Sequence, residues 1–511
     1  MFFSLVDKLI KIEAEHSAKT AIVYKNVHVS YKAIILQCRQ LASFFVNQGL
    51  KKGDRVAILL ENSPEYVATY YGVLQAGGIV VSLNNAAKST DLANWIRHSG
   101  STWLVTAGNH PELAELVSIL DGKVKFLVTN ESSPDATDRE RYSEVVSASN
   151  ESCRFPTIDF KDVAAIIYTS GTTGQPKGVT LTHGNLIANM ESILEYLPVT
   201  HQDKCLNVLP FYYSFGNSVL HTHLIRGATL FLENSFLFPT LIVKKIQDEH
   251  ITSFYGVPSS YALLLNRTKL DDYDLSSIKY LAQAGGAMLP EHIKKIKKYF
   301  TLAQFFVMYG QTEATARLAA LLPDKLNEKM GSVGTAIPGV KLEVRNKEGN
   351  TVAGGEVGEI YASGPNIMQG YWNDKKLTSS VIFNGWLKTG DLATLDKDGY
   401  IFIAGRESEM IKSGAHRISP LDIEEVILRI TGVDEVAVIG LPDEILGQII
   451  MACIVAKDTV KLDKRDIQAH CKQHLATYKI PKFVQFINEL PKTPSGKVKR
   501  FELQKMIQIN H

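Results

Sequence analysis

The stretch "YTSGTTGQPKGVTLTHGNL", residues 168–186, gathers Gly, Ser and Thr around one lysine, Lys177. Residues of these types can hold phosphate. Gly171, Gly174 and Gly178 let the backbone approach a ligand without Cβ clashes. Ser170, Thr172 and Thr173 offer hydroxyls, and successive backbone N–H groups in such a loop form an anion-binding concavity. The stretch does not fit G-x-x-x-x-G-K-[ST]. Counted from Gly171, the second glycine of that motif falls on Pro176, and Lys177 is followed by Gly178. The composition alone would also suit a surface linker. Its place favours a site: apolar "VAAIIY" before it reads as a buried strand, and "THGNLIANMESILEYL" after it reads as a helix with Thr182 at the N-cap.

Further candidates lie downstream. "MYGQTEA", residues 308–314, offers a ring, a glycine, a hydroxyl and a carboxylate in one turn. Tyr309 could stack on a flat base, Thr312 could bond a phosphate oxygen, and Glu313 could hold Mg²⁺. "LKTGDLA" puts Asp391 in a turn, where a carboxylate can accept ribose hydroxyls or simply close an Asx turn. "AGRESEM" carries Arg406, and "PKTPSGKVKR" puts Lys497 on a glycine-containing loop near the end. For Lys497 a solvated basic tail is the plain alternative.

The elements that must position these residues alternate between strand and helix over the first four hundred positions. "RVAILL", "IVVSLN", "KVKFLVTN" and "ATLFLE" read as strands and "SPEYVATYYGVLQAGG" as a helix, which predicts largely parallel sheets flanked by helices. Residues 131–157 are polar and read as a long surface connection. From about 335 to 403, short strands between Gly- and Asn-rich turns predict a small β-barrel or meander. Beyond it, "SPLDIEEVILRI" reads as a capped helix, "VDEVAVIGLP", "IIMACIVA" and "FVQFIN" as strands, and "KRDIQAHCKQHL" as a helix. The fold class is therefore α/β, with a large N-terminal domain at 1–404, a hinge at 405–408 and a small mobile α+β domain at 409–511.

With 511 residues the chain exceeds one average domain. Its net charge of +2 gives no electrostatic reason to expect nucleic acid. Cys38, Cys153, Cys205, Cys453 and Cys471 lack metal-ligand spacing, which argues against a zinc site or a disulfide framework and fits a reducing, cytoplasmic setting. No apolar run is long enough for a spanning helix. Asp7 and Lys8 interrupt any signal-peptide core in "MFFSLVDKLIKIEAEH", which instead suits an amphipathic helix docked on its own domain.

Together these segments resemble the acyl-adenylate-forming superfamily of acyl-CoA synthetases, peptide-synthetase adenylation domains and luciferases, and most of all an acyl-CoA synthetase. The resemblance spans nearly the whole chain. It rests on "YTSGTTGQPKGV", "AGGAMLP", "MYGQTEA", "GSVGTAIPGV", "GEIYASGPNIMQGYWND", "TGD", "GR…IK…RISPLDIE" and "PKTPSGK". It implies a ligase that uses ATP and Mg²⁺ to convert a carboxylic acid to acyl-AMP with release of pyrophosphate. The acyl group then passes to a thiol, that of CoA or of a carrier protein's phosphopantetheine. The loop would hold the leaving phosphates through Thr169, Ser170, Thr172, Thr173 and Lys177. Thr312 would contact the α-phosphate, Glu313 would hold Mg²⁺, and Lys497 would bridge the acid and the α-phosphate. Asp391 and Arg406 would bind ribose, and Tyr309 with Gly285, Gly286 and Ala287 would frame adenine. Rotation of the small domain about the hinge would then exchange Lys497 for segment 411–418 along the thiol path.

Two positions depart from the family's pattern. The hinge position, commonly Asp or Lys, is Ser408, which is small enough for rotation. Beside Gly414 in the tunnel segment, a position commonly Gly is Ala415, whose methyl narrows the expected thiol path. In the pocket segment "LPFYYSFGNS", Tyr213 stands where amino-acid-activating relatives carry an Asp, which disfavours an α-amino acid. Met308 would fill space that is open in relatives with long tunnels, so a compact acid is expected. Tyr212, Tyr213, Phe215 and Val257 are further pocket candidates. Three other readings stay open: an acyl-AMP ligase serving a carrier protein, an amino-acid adenylating unit, and an ATP-binding protein without catalysis.

Overall fold

The computed structural model describes residues 4–130, 139–147, 153–169, 176–413, 416–444, 446–457, 460, 462–493 and 498–509, with the backbone alone at Ser408, Arg417, Gln508 and Ile509. Ser170, Gly171, Thr172, Thr173 and Gly174 of the phosphate loop, Gly414, Ala415 and Lys497 lie outside the described residues, as does the side chain of Ser408.

Two sheets build the large part. In the first, Arg55–Leu59, Ile79–Ser82, Ser101–Ala107, Lys125–Thr129 and Val163–Thr169 run parallel. In the second, Thr20–Tyr24, Lys204–Asn207, Thr229–Leu232, Ser253–Gly256, Tyr280–Gln283 and Gln304–Tyr309 do the same. These are short apolar runs, as parallel strands covered on both faces require. One apolar core joins the two sheets: Val80 and Ile167 of the first and Leu230 and Phe306 of the second share it with the helices Tyr31–Asn47, Pro64–Gln75 and His183–Tyr196. Ser30, Ser63 and Thr182 cap these helices by accepting backbone N–H groups, which satisfies donors with no intrahelical partner. The N-terminal segment forms the expected helix, Leu5–His16, which buries Leu5, Val6 and Leu9.

Three local readings are corrected. The phosphate loop does not lead straight from strand to helix. Lys177–Thr182 is a strand antiparallel to Val163–Thr169, with Thr169 opposite Lys177, so a second strand stands between the loop and the helix. The polar 131–157 region carries a short helix, Tyr142–Ser147, which buries Tyr142 and Val145. Helix Pro420–Ile427 begins at Ser419 without a side-chain capping bond, and its first turn starts on Pro420.

The 335–403 region is an open meander rather than a closed barrel: Lys341–Arg345, Gly358–Ser363 and Trp386–Leu395 pair antiparallel in turn, and Ile401–Arg406 adds to Trp386–Leu395. Beyond Arg406 a single turn, Glu407–Glu409, leads to Ile411–Ser413, the first strand of a separate sheet. That sheet contains Val433–Asp443, Gly447–Ala456 and Phe483–Phe486, and buries its own core of Ile411, Ile423, Val438, Ile454 and Ile467. No helix among the described residues is long and apolar enough to cross a membrane.

Candidate active site

The site is assembled where the second sheet, the meander and the C-terminal sheet meet. Gln304–Tyr309 ends at Gly310, and the chain turns through the 3₁₀ segment Thr312–Ala314. Gly310 is required there, since a Cβ on it would lie 2.1 Å from the Ala316 carbonyl oxygen. Thr315, at φ +66°, holds the turn by donating to the Asn366 carbonyl at 2.7 Å. The Asn366 amide donates in return to the carbonyls of Ala314 and Arg317. Asn189 clamps the Arg317 backbone at both N–H and C=O.

Asp391 is the best-anchored polar group of the site. It is 5% exposed. Tyr309 OH donates to its Oδ2 at 2.7 Å, and Arg406 Nε donates to its Oδ1 at 2.8 Å. Burial and the adjacent Asp391 carboxylate raise the Tyr309 phenol well above its ordinary range, so it stays a donor. Glu359 accepts from the Gly390 N–H at 3.0 Å and pairs with Lys388, fixing the turn before Asp391.

Glu313 is oriented by a residue that sequence reasoning missed. Tyr371 OH donates to Glu313 Oε1 at 2.9 Å. Tyr371 belongs to the two-residue strand Gly370–Tyr371, which pairs with Lys177–Thr182 so that Tyr371 faces Val179. The carboxylate is thereby tied to the root of the phosphate loop. Across that root, Tyr168 stacks on Trp95 and its OH lies 2.8 Å from His98 Nδ1. Thr312 Oγ1 lies 3.2 Å from Ser214 Oγ.

A cleft opens beside these groups. Gly285, Gly286 and Ala287 line one wall with Val257, and Met308, Tyr309, Asp391 and Arg406 line another. Gln283 donates to the Gly286 carbonyl at 2.6 Å and holds that wall in place. Val498 and Arg500 reach the same cleft from the C-terminal unit. Tyr212 lies elsewhere, in a hollow with Glu61, Asn85 and Asn234. Its ring centroid is 4.5 Å from that of Tyr213. Phe215 is buried beneath the Arg317 guanidinium. Cys38, Cys205, Cys453 and Cys471 are buried, and burial pushes Cys453 up to about 12 and Cys471 up to about 11, so these thiols stay protonated.

Residues 11–372 match the AMP-binding enzyme family, and residues 422–497 match the AMP-binding enzyme C-terminal domain. The chain is 33% identical over 525 residues to a long-chain-fatty-acid–CoA ligase of Bacillus subtilis, covering 96% of this chain and 92% of the relative. It is also 33% identical over 491 residues to a feruloyl-CoA synthase of Amycolatopsis, covering 95% of each. Among solved structures, the anthranilate CoA ligase AuaEII in complex with anthranoyl-AMP superposes with a TM-score of 0.92 at 25% identity, covering 100% of this chain and 98% of that one. With its cleft, its Tyr309–Asp391–Arg406 array and these likenesses over almost its full length, the chain belongs to the AMP-binding enzyme family and is most like its acyl-CoA synthetases.

Proposed function

We propose that this AMP-forming acid–CoA ligase divides its two half-reactions among the groups described above. The carboxylate of the acid attacks the α-phosphorus of ATP, the bond to the β-phosphate oxygen breaks, and pyrophosphate leaves. The acyl carbon of the resulting mixed anhydride then accepts the sulfur of CoA, and AMP leaves. The first step brings two anions together, so it needs fixed donors and positive charge at the α-phosphate.

Asp391 carries this reading. A buried carboxylate with one oxygen on a phenol and the other on a guanidinium is held rigidly at the cleft wall, where it can accept ribose hydroxyls. Gly285, Gly286, Ala287 and Tyr309 would frame the base, and Thr312 would meet the α-phosphate. Lys177, opposite Thr169, would serve the leaving phosphates. Glu313, aligned through one oxygen by Tyr371, offers a hard carboxylate oxygen of the kind Mg²⁺ takes. Bound there, Mg²⁺ would offset charge on the phosphates. Lys497 is assigned to the acid and α-phosphate by its motif. Its neighbour Val498 lining the cleft supports that assignment.

The hinge would lie at 405–408, a reading supported by the passage there from the meander strand to the C-terminal sheet. A compact acid is supported by Met308, which is 2% exposed and packed against Tyr196 and Arg317. The test is acid-dependent exchange of labelled pyrophosphate into ATP across a panel of carboxylic acids and amino acids. Thioester formation is then compared with CoA and with a carrier protein. Exchange that follows the acid supports the reading. ATP binding without exchange on any acid removes it.

A further inference from the structure

Arg317 is a buried guanidinium, 3% exposed, with no carboxylate partner among the described residues. A buried charge is normally paired, because desolvation is costly. Its five N–H donors are poorly served. Nε donates to the thioether of Met308 at 3.4 Å, and one terminal nitrogen donates to the adjacent Ala316 carbonyl at 3.3 Å. The flat face lies 4.1 Å from the centroid of the Phe215 ring, a cation–π contact.

The groups around it share this shortage of acceptors. Tyr196 OH also donates to Met308 Sδ, at 3.3 Å, so two strong donors converge on one weak acceptor. Tyr255 packs edge-on against Phe215, and its buried OH lies beside the Tyr280 phenol. Met308 is the wall between this cluster and the cleft, since it lines the cleft while its sulfur meets Arg317 and Tyr196. A thioether side chain has three rotatable bonds and repacks readily. An acid entering from the cleft would therefore find, behind Met308, a cation and a phenol whose shared acceptor is a thioether.

We propose that Arg317, with Tyr196, binds a second carboxylate at the far end of the acid, so that the enzyme's substrates are compact dicarboxylic acids activated at one end. A carboxylate supplies the paired acceptor oxygens that a guanidinium fork takes. A plain alkyl chain in that place would leave the charge as unpaired as it is now. This inference rests on the acid-activating reading above and narrows its substrate.

The experiment compares pyrophosphate exchange on malonate, succinate and glutarate with exchange on propionate, butyrate and valerate, for the wild type, Arg317→Met and Arg317→Lys. The readout is the ratio of kcat/KM for each diacid to its matching monoacid, which loss of folded enzyme does not change. The wild type is expected to favour at least one diacid, and Arg317→Met to lower that ratio by at least about 100-fold. Arg317→Lys should recover part of it. Exchange by the wild type on monoacids or amino acids but on no diacid overturns the inference while leaving acid activation standing. So does an unchanged ratio in Arg317→Met. No exchange on any acid overturns the acid-activating reading, and this inference with it.

Discussion

Asp391 and Arg406 are direct partners in strand register, opposite one another on Trp386–Leu395 and Ile401–Arg406, and their side chains close the same step with a 2.8 Å ion pair. The pair therefore depends on the antiparallel ladder rather than on a loop. Arg406 is also the last residue of its strand, one turn before the C-terminal sheet begins. Under the proposed function, a movement of the C-terminal unit that pulled on this strand end would act on the same pair that is proposed to bind ribose.

Replacing Asp391 with Asn keeps the size of the side chain and a hydrogen bond from Tyr309 but removes the negative charge. A hydrogen bond to a charged group contributes about 1.5–3 kcal/mol. The KM for ATP should accordingly rise about 10- to 100-fold, with a smaller change in kcat. Initial rates of exchange at varied ATP check this, and an unchanged KM would remove Asp391 from the nucleotide site.

Tyr371→Phe deletes one hydroxyl and keeps the ring. Glu313 then loses the donor that fixes its Oε1. Groups that orient a metal ligand typically affect affinity or activity by about 10- to 100-fold. The Mg²⁺ concentration needed for half-maximal exchange should rise by about 10-fold, while the KM for the acid stays near the wild-type value. A Mg²⁺ titration at saturating ATP measures it. An effect on the acid alone would place Tyr371 with the acyl pocket instead.

Much of this architecture was legible because it is written locally. The apolar runs that form the parallel strands are contiguous, and the cap at Thr182 sits just before its helix. Asp391 and Glu313 stand in short motifs whose residue types already suggest ligands, although Asp391 lies within the strand Trp386–Leu395 and not in the turn that "LKTGDLA" suggests. The site's supports were not legible, because they are distant in sequence. Tyr371 reaches Glu313 across 58 residues through a strand of two residues, too short for any periodicity. Arg317 lies in "ATARLAA", a run of small and apolar residues that gives no hint of a buried cation. One missed element did carry a signal. In "KGVTLT" the alternation of Val179 and Leu181 with polar residues has the two-residue period of a strand, but the glycine-rich loop beside it drew the reading toward strand, loop and helix.

Gly310 allows the turn between Tyr309 and Thr312 to close. In Gly310→Ala the new methyl would meet the Ala316 carbonyl oxygen at 2.1 Å, and that oxygen belongs to the backbone and cannot rotate away. Overpacking of this kind costs about 1–3 kcal/mol. Urea unfolding should show a loss of that size, together with weakened exchange because Thr312 and Glu313 shift. Full stability and activity would show that the turn tolerates a wider path than its geometry allows.

Acid sensitivity follows from three buried histidines. Burial lowers His183 to about 4, His221 to about 3 and His223 to about 4. Their unfolded values lie near 6.5. Above that value both states are neutral and the histidines cost nothing. Below it the unfolded chain takes up protons that the folded chain refuses, so stability falls as pH drops and stops falling only near the folded values. Each histidine can contribute up to about 1.4 kcal/mol per pH unit within that window. The urea unfolding free energy should therefore drop steeply from about pH 6 to about pH 4.5 and stay nearly flat with respect to these groups above about pH 7. In His223→Gln, which removes one of the three, the slope in that window should be shallower by up to about 1.4 kcal/mol per pH unit. A wild-type profile that is flat through this range would mean that these histidines accept protons in the folded state.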